Sequence, residues 1–421
     1  LDITGRNDWS STLPKENNSF FYPSVNTSFI VSDMFALPKA ISYLKYRFSF
    51  AQVGNDTDPY RTRKYYDQSP FPSSAVAPVI LHNDHFKPEI TRSFETGFEL
   101  FMLNKQVNLD ATVYQSITKN QIIKMPLDLS TGYSGAIING GEVRNRGIEL
   151  VLGGKIIDND GFKWSAALNW TRNWNKLLSL PEAVKGQQQV IGEGGTASII
   201  AKVGGTATAI YGYGFVRSPD GQIVYDQGLP VNSQEIQYIG DASPDWTAGL
   251  TNNFTIGNFT AGITIDGQYG GIIYSQTHHK LMEQGKLTST YRGREEGYII
   301  GEGVVLNNDG SYSPNTTQVA PAEWYARYYR RANIESNSFD ASYVKLREVS
   351  LQYNIPNKWL KNTGLQSAQF SVFGRDLAII SDFPIYDPET ATLNGSRILP
   401  GIEMGQMPSP ASYGFNLKVN F

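Results

Sequence analysis

The last eleven residues of the chain, from Ala411 to Phe421, alternate between apolar and polar side chains. Because successive side chains of a β-strand point to opposite faces, this period of two predicts a strand with one apolar and one polar face. Such a strand suits a transmembrane β-barrel, in which the apolar face meets lipid and the polar face lines the lumen. A half-buried strand of a soluble sheet shows the same alternation, so the barrel hypothesis requires that the pattern recur.

The pattern does recur, most clearly in the segments 106–118 and 162–171. It assigns one face of each strand to lipid and the other to the interior. The side chains expected to face lipid are Leu109, Ala111, Val113, Phe162, Trp164, Leu168, Phe415, Leu417 and Val419. The side chains expected to face inward are Asn108, Asp110, Asn169, Asn416 and Lys418.

About twelve such segments are present, including one expected at 259–274, and the connections between them are sorted by length. Short turns near residues 36, 104, 160, 257 and 360 alternate with long polar connections near 70, 130, 210, 300 and 395. A transmembrane barrel has short periplasmic turns and long extracellular loops, whereas a sandwich has no reason to sort its loops. The sequence therefore predicts an all-β, antiparallel transmembrane barrel with long extracellular loops.

The composition excludes several other classes of protein. The 421 residues contain no cysteine, which excludes disulfide scaffolds, thiolate metal sites and cysteine nucleophiles. A net charge of −3 gives no reason to propose a nucleic acid as partner. The longest apolar run, around 75–81, is far shorter than the roughly 18 residues of a membrane-spanning helix.

Five stretches and the terminal Phe421 together resemble one protein family. They are Lys87-Pro88-Glu89 with Ser93 to Glu99 (S-F-E-T-G-F-E), Asn139 to Leu150 (N-G-G-E-V-R-N-R-G-I-E-L), Tyr238 to Trp246, Phe339 to Pro356 (F-D-A-S-Y-V-K-L-R-E-V-S-L-Q-Y-N-I-P), and Asp387-Pro388-Glu389. In these motifs, and in their order over nearly the whole chain, the sequence resembles the SusC/RagA family of TonB-dependent outer-membrane transporters of the Bacteroidetes.

The resemblance implies that residues 1–421 are the C-terminal portion of a 22-stranded barrel whose lumen holds a plug. The signal peptide, the plug, the segment that contacts TonB and the first strands would then precede this chain. The family imports bulky oligosaccharides, and in some members peptides, beneath a SusD-like surface lipoprotein. Implied partners are therefore this lipoprotein, TonB, the other half of the barrel, outer-membrane lipid and the substrate, with no cofactor and no enzymatic activity.

Two other functions are compatible with parts of the pattern. A passive porin-like channel would also be a barrel, but it would lack a plug, a lid protein and energy coupling. A secreted β-sandwich that binds glycans or mediates adhesion would show alternating strands, although the sorting of connections by length argues against it.

Four acidic residues are expected to line the lumen: Glu95, Glu99, Asp110 and Glu149. The sequence interpretation places Arg144 and Arg146 beside Glu149 on the same polar face. These charges would contact the plug or the substrate, or they would simply be the charges that any polar barrel interior carries.

The segment 324–331 is the densest aromatic and basic cluster in the sequence. Flat rings stack on sugar faces and guanidinium groups bind hydroxyls or carboxylates, so this segment is a candidate for substrate contact. The candidate residues are Trp324, Tyr325, Tyr328, Tyr329 and Arg330. Internal packing of a large loop, or docking to the lid protein, would use the same residues. The long segments 175–243 and 275–338 are expected to be extracellular and to contact the substrate or a second protein.

Two histidine clusters are interpreted as solvated loop residues rather than metal sites. His82 and His85 flank Asp84, and His278 is followed by His279. Adjacent side chains of an extended backbone point in opposite directions, so His278 and His279 would not converge on one ligand. The sequence therefore predicts no metal site and no catalytic residue.

The strands at the two ends of the chain would each have an unpaired edge. In hydrocarbon, unpaired backbone N–H and C=O groups cost several kcal/mol each. We therefore expect a second stretch of polypeptide to pair with the strand that begins at Leu1 and with the one that begins at Tyr413.

Overall fold

A sheet of twelve antiparallel strands dominates the computed structural model, which describes residues 1–182, 184, 188–361, 363–394 and 397–421. The strands occur in the sheet in the same order as in the chain. They are β1 (Asp2–Trp9), β2 (Ser19–Ile30), β3 (Ile41–Asn55), β4 (Glu89–Met102), β5 (Val107–Lys119), β6 (Glu142–Asp158), β7 (Lys163–Ser179), β8 (Trp246–Ile256), β9 (Phe259–Tyr269), β10 (Tyr343–Asn354), β11 (Ser367–Ser381) and β12 (Ser412–Asn420).

Ten of the eleven connections between these strands alternate in length, as the sequence predicts, and the exception is the first connection, 10–18, which is short but lies at the end of the long ones. The short ones are 31–40, 103–106, 159–162, 257–258 and 355–366, and the long ones are 56–88, 120–141, 180–245, 270–342 and 382–411. Residue 395, near the middle of the last long connection, lies outside the described residues. The prediction of about twelve strands with sorted connections is therefore confirmed.

Two strand boundaries differ from the sequence-based expectation. β7 continues to Ser179, well beyond residue 171, where the alternation of apolar residues weakens. β9 ends at Tyr269 rather than at 274 because Gly270 and Gly271 adopt φ angles of 76° and 83°, which no extended strand accommodates. The residues that follow form a separate short strand, Ile272–Ser275.

The connections contain short elements of their own. The helices are α1 (Val31–Met34), α2 (Gln276–Glu283), α3 (Pro321–Tyr328) and α4 (Asn357–Leu360), with 3-10 turns at Leu129–Thr131, Thr288–Tyr291 and Glu335–Asn337. Short strands lie at Asp67–Gln68, Ala75–Val76, Ile80–Leu81, Ile122–Pro126, Gly135–Asn139, Gln188–Gly194, Ala197–Lys202, Ala209–Gly212, Val224–Asp226, Leu229–Pro230, Gln237–Asp241, Ile272–Ser275, Ile299–Ile300, Val304–Leu306, Tyr312–Pro314, Gln318–Val319, Ser338–Asp340, Thr392–Asn394, Arg397–Leu399 and Ile402–Glu403. None of the described helices is both long enough and apolar enough to span a bilayer.

The chain forms two compact units. Unit 1 consists of Leu1–Gln189, Lys202–Thr206 and Ala248–Thr260, and contains β1 to β7. Unit 2 consists of Val190–Ala201, Ala207–Thr247 and Ala261–Phe421, and contains β10 to β12. Unit 2 also has a hydrophobic core made by its connecting segments, in which Ile199, Ile210, Tyr274, Ile334 and Ile402 are fully buried.

The two faces of the sheet differ in chemistry, as unit 1 shows most clearly. Ala111 of β5 lies opposite Leu150 of β6, which lies opposite Trp170 of β7, so one face carries a continuous apolar band. Asp110 and Val151 lie on the other face, which also carries ion pairs. We assign the apolar face to lipid because burying unpaired charges in hydrocarbon is unfavourable.

Replacing Leu150 with Arg tests this assignment. In the membrane-embedded protein, Leu150→Arg places a charge in the apolar band and should lower the unfolding free energy by about 2–4 kcal/mol. Val151→Arg, one residue along the same strand but on the polar face, should cost less than about 1 kcal/mol. Heat-modifiable electrophoretic mobility measures both effects, and equal costs would show that the face assignment is wrong.

Candidate functional site

Charged side chains of β3, β4 and β5 meet on the polar face of unit 1. Arg47 donates from Nη1 to Asp110 Oδ2 at 2.6 Å and from Nη2 to Thr112 Oγ1 at 2.5 Å. The Nζ of Lys45 lies 3.8 Å from Glu99 Oε2. The strand register explains this grouping, because Lys45 lies opposite Glu99, and Glu99 lies opposite Asp110. Two of the four predicted lumen residues therefore belong to one network.

The other two predicted lumen residues share this face but are more exposed. Glu95 lies opposite Tyr114, and Glu149 lies opposite Thr112, so both project from the same side as Asp110. Beside them, the absent side chain of Gly147 leaves room for the ring of Tyr114, because a Cβ at Gly147 would lie 2.3 Å from that ring. The assignment of this face to the lumen stays a prediction for all four acidic residues.

The arginines that the sequence analysis placed beside Glu149 lie on the opposite face. Arg144 and Arg146 lie five and three positions before Glu149, and the pairing of β6 has no bulge in this segment. Side chains alternate strictly in such a segment. The expectation that these arginines join the lumen charges is therefore wrong, and both lie at one end of the apolar face.

A second charged network in unit 2 joins two of the motifs singled out in the sequence. Nζ of Lys345 donates to both carboxylate oxygens of Asp387 at 2.7 Å and also bonds to Glu389. Arg347 donates from Nε to Asp266 Oδ1 at 2.7 Å and pairs with Glu389 as well. The K-L-R segment of β10 and the D-P-E segment of the connection 382–411 are thus ion-pair partners.

The electrostatics of this network hold Glu389 in its charged form. Burial raises the pKa of Glu389, but hydrogen bonds from Arg347, Lys345 and Tyr343 outweigh burial and lower the pKa to about 2. The side chains of Lys345 and Asp387 are 4% and 7% exposed, respectively. The last long connection is therefore fastened to β10 by a nearly solvent-free ion pair.

The first part of the predicted aromatic cluster lies in α3, Tyr329 caps that helix and Arg330 follows it, and the rings pack largely against one another. Pro321 occupies the first turn of this helix, where its missing N–H costs no hydrogen bond. The rings of Trp324 and Tyr328 stack with centroids 4.6 Å apart, as expected for residues four apart on a helix. Trp324 and Tyr325 are only 5% exposed, and Tyr325 donates to the carbonyl of Ser289 at 3.0 Å.

Beside α3 lies an open pocket of about 720 Å³ that the sequence analysis did not identify. Its lining combines aromatic, basic and acidic side chains: Tyr291, Arg292, Arg294, Glu295, Glu296 and Tyr298. Arg292 connects the pocket to the aromatic cluster, since its guanidinium carbon lies 5.9 Å from the ring centroid of Trp324. The segment 291–298 shows no periodicity, so only the folded loop brings these side chains around one space.

The histidine pair is buried, which corrects the prediction of a solvated loop. His278 and His279 lie in α2, whose N-cap Ser275 accepts a hydrogen bond from the backbone of His278. His278 Nδ1 lies 2.9 Å from Asn337 Oδ1, and His279 Nδ1 lies 2.6 Å from the carbonyl oxygen of Tyr329. The backbone here is helical rather than extended, and the helix directs the two rings into different parts of the core.

The other two histidines, His82 and His85, lie in the connection 56–88. His85 is exposed there, with its ring 3.5 Å from Glu16 Oε1, whereas His82 is half-buried. Within the part of the chain that the structure describes, no group of three or more His, Asp or Glu side chains is arranged to hold a metal ion.

Comparison with protein-family models identifies the fold. Residues 1–372 match the family described as TonB dependent receptor-like, beta-barrel. The chain belongs to this family of outer-membrane β-barrels. Its strand order, its sorted connections and its two chemically distinct sheet faces are those that a transmembrane barrel requires.

Individual relatives agree with this assignment. The chain is 27% identical to TonB-dependent receptor P3 and 24% identical to TonB-dependent receptor P26, both of Formosa agariphila. In each comparison the whole chain is covered, but it spans only 44% of the relative's length.

Solved structures of the RagAB peptide importer share the fold of the whole chain. The TM-score is 0.77 for the 'closed-closed' state at 16% identity and 0.75 for the 'open-open' state at 17% identity. Both matches cover 100% of this chain and 45% of the importer chain.

The buried ion pair predicts a large effect of Lys345→Met on stability. The change leaves Asp387 buried without its partner, so the unfolding free energy should fall by about 3–5 kcal/mol. Lys155→Met, which removes an exposed lysine that pairs with Asp158, should cost less than about 1 kcal/mol. Unfolding of the full-length protein measures both changes, and similar costs would contradict the structural importance of the buried pair.

Burial of the histidine pair predicts a loss of local stability in acid. Burial lowers the pKa of His278 and of His279 below the ordinary 6.5, in spite of Asn337, the Tyr329 carbonyl and Glu283, which favour the charged forms. The stability contributed by the neutral rings is therefore present above pH 6.5 and is lost as the pH falls through the lowered pKa values.

Hydrogen exchange of residues 276–283, corrected for the intrinsic rate, measures this effect in the full-length protein. We expect protection to be lower at about pH 5 than at about pH 7.5. His85→Gln, at the exposed histidine of unit 1, should leave this difference unchanged. Protection that does not vary with pH would show that the buried rings do not control the stability of α2.

Proposed function

We propose that this chain is the C-terminal portion of a transporter that imports a bulky nutrient across the outer membrane, with energy supplied through TonB. The family match over residues 1–372 carries the proposal. The shared fold with the RagAB peptide importer, at TM-scores of 0.75 to 0.77, supports it. A transporter of this kind binds its substrate and moves it without covalent chemistry, so we assign the chain no catalytic residue.

We further propose that the rest of the polypeptide completes the barrel. Among the described residues, β1 is hydrogen-bonded within the sheet only to β2, and β12 only to β11. An edge of this kind would leave backbone groups unpaired in hydrocarbon, at a cost of several kcal/mol per group. Strands that precede residue 1 would pair with both edges, and the closed barrel would have about 22 strands and a plugged lumen.

The substrate is proposed to be an oligosaccharide or a peptide that contacts the connection 270–342. The pocket formed by 291–300 offers two exposed tyrosines, two arginines and two glutamates around about 720 Å³. Tyrosine rings stack on sugar rings or apolar side chains, and charged groups bind hydroxyls or peptide charges. The predicted contact residues Trp324, Tyr325, Tyr328, Tyr329 and Arg330 would then support this pocket through Arg292 rather than form a separate site.

A SusD-like surface lipoprotein is the proposed partner. The long connections 180–245 and 270–342 carry their own buried cores, including the cluster of Met282, Ile299, Val319 and Trp324. Long connections with internal packing can present a defined surface to a partner, whereas unstructured loops cannot. We place the lid on this side of the barrel.

Uptake by cells tests the proposal against a passive channel. In a strain that depends on the full-length transporter, labelled oligosaccharides and peptides are offered with and without a protonophore. We expect uptake to require both the transporter and the proton motive force. Uptake that continues down a gradient without that force would instead identify a porin-like channel.

Substitution of the pocket tyrosines tests the substrate site. Loss of both rings in Tyr291→Ala/Tyr298→Ala should weaken substrate binding by about tenfold, because each aromatic contact contributes roughly 0.5–1.5 kcal/mol. Tyr312→Ala, which removes another exposed tyrosine of unit 2 outside the pocket, is the matched control. Equal uptake affinities for the two variants would exclude this pocket as a substrate site.

A further inference from the structure

Four basic side chains interrupt the apolar face of unit 1 at one end of β6 and β7. They are Arg144, Arg146, Arg172 and Lys176. The register makes them neighbours: Arg144 lies opposite Lys176, and Arg172 lies opposite Ile148, one step along the same face from Arg146. We call these four residues the basic rim.

The basic rim overlaps the upper edge of the apolar band. Arg172 is level with Ile148 of β6, and Leu150 of β6 and Trp170 of β7 follow below them on the same face. Arg146 lies opposite Gln115, eight residues from the start of β5 at Val107. At about 3.4 Å per residue and a tilt of 35–45°, this distance corresponds to a height of roughly 21 Å, near the top of an apolar band about 25 Å tall.

The basic rim lies at the end of the strands that joins the long connections. β5 leads into 120–141 and β7 leads into 180–245, whereas 103–106 and 159–162 close the opposite ends. Long connections of outer-membrane barrels are extracellular. The basic rim therefore lies just below the headgroups of the outer leaflet, which long arginine and lysine side chains can reach, and on the face assigned to lipid rather than in the lumen.

The positive charges of three members of the basic rim have little compensation from the protein. Among the described residues, Arg144, Arg146 and Lys176 form no ion pair with a carboxylate, and Arg146 instead donates from Nε to Gln115 Oε1 at 2.6 Å. The nearest acidic residue on this face, Glu142, pairs with Lys119 at 3.5 Å. Cations at the edge of hydrocarbon that have no carboxylate partner in the protein favour an anionic ligand.

The shape of the surface also fits a lipid headgroup. A pocket of about 590 Å³ is lined by Arg144, Arg146 and Lys176 together with Trp174, Val113 and Ile148. Trp174 is 43% exposed, and the guanidinium carbon of Arg172 lies 4.7 Å from its ring centroid. The cationic groups at the top of this pocket suit a phosphate, and the amphipathic ring beside them suits its sugar. The aliphatic side chains below suit the acyl chains.

We propose that the basic rim binds a phosphorylated glycolipid of the outer leaflet, with Arg144 and Arg146 on its phosphates and acyl chains against Val113 and Ile148. The outer leaflet of an outer membrane is built from such lipids, so the ligand is always present at this height. Binding would fix the depth and rotation of the barrel beneath its long connections. A free anion would use the same arginines but not the apolar part of the pocket.

Binding of lipid A to the purified full-length transporter in detergent tests the proposal, with native mass spectrometry as the readout. The probes are bisphosphorylated lipid A, its dephosphorylated form and inorganic phosphate. Arg144→Gln/Arg146→Gln is compared with Lys155→Gln/Lys163→Gln, which removes two positive charges from the opposite end of the same hairpin. Heat-modifiable mobility verifies that each variant is folded, and Arg144→Lys/Arg146→Lys keeps the charge if the glutamine variant fails to fold.

We expect bisphosphorylated lipid A to bind, and Arg144→Gln/Arg146→Gln to weaken that binding at least about tenfold while Lys155→Gln/Lys163→Gln leaves it unchanged. The lysine variant should retain part of the affinity, since a point charge replaces a bidentate donor. Equal binding by all variants, or equal binding of the dephosphorylated lipid, would overturn the proposal. Displacement of the lipid by inorganic phosphate would also overturn it, in favour of a simple anion site. The assay does not depend on import, so its outcome is independent of the proposed transport function.

Discussion

Backbone hydrogen bonding within hydrocarbon is the constraint on which the rest of this structure depends. With no water available, each N–H and C=O group of a strand must bond to a neighbouring strand. Antiparallel strands that are neighbours in the sequence satisfy this condition with the shortest connections. The twelve strands accordingly occur in the sheet in the same order as in the sequence. The side chains of the two faces can then differ in chemistry, because the hydrogen bonds between the strands are made by backbone groups alone.

The polar face and the connections hold the ion pairs, and these pairs have different roles. Arg47 and Asp110 join β3 to β5 across β4, so they add a side-chain contact between strands that backbone hydrogen bonds already hold in one sheet. Lys345 and Asp387 instead fasten a long connection to β10, and almost no solvent reaches them. This explains physically why the K-L-R and D-P-E motifs belong together, although 39 residues lie between Arg347 and Asp387 in the sequence.

Strand number, strand order and the sorting of connections were predictable because they follow from local patterns. Alternation over five or more residues identifies a strand such as β5, and Asn159-Asp160-Gly161 marks a tight turn. The same alternation puts Glu99 and Asp110 on one face, and the register places them opposite each other. The misplaced Arg144 and Arg146 show the opposite case: their charge suggested the polar face, but their position in the alternation puts them on the apolar one.

By itself, the sequence determined that this is a sheet protein with an apolar and a polar face, because a period of two is a local property of the chain. Only the tertiary structure decided the contents of the long connections. The burial of His278 and His279 depends on Asn337 and Tyr329, and the pocket at 291–300 depends on α3 beneath it. These contacts join residues tens of positions apart without any periodicity, so no local pattern encodes them.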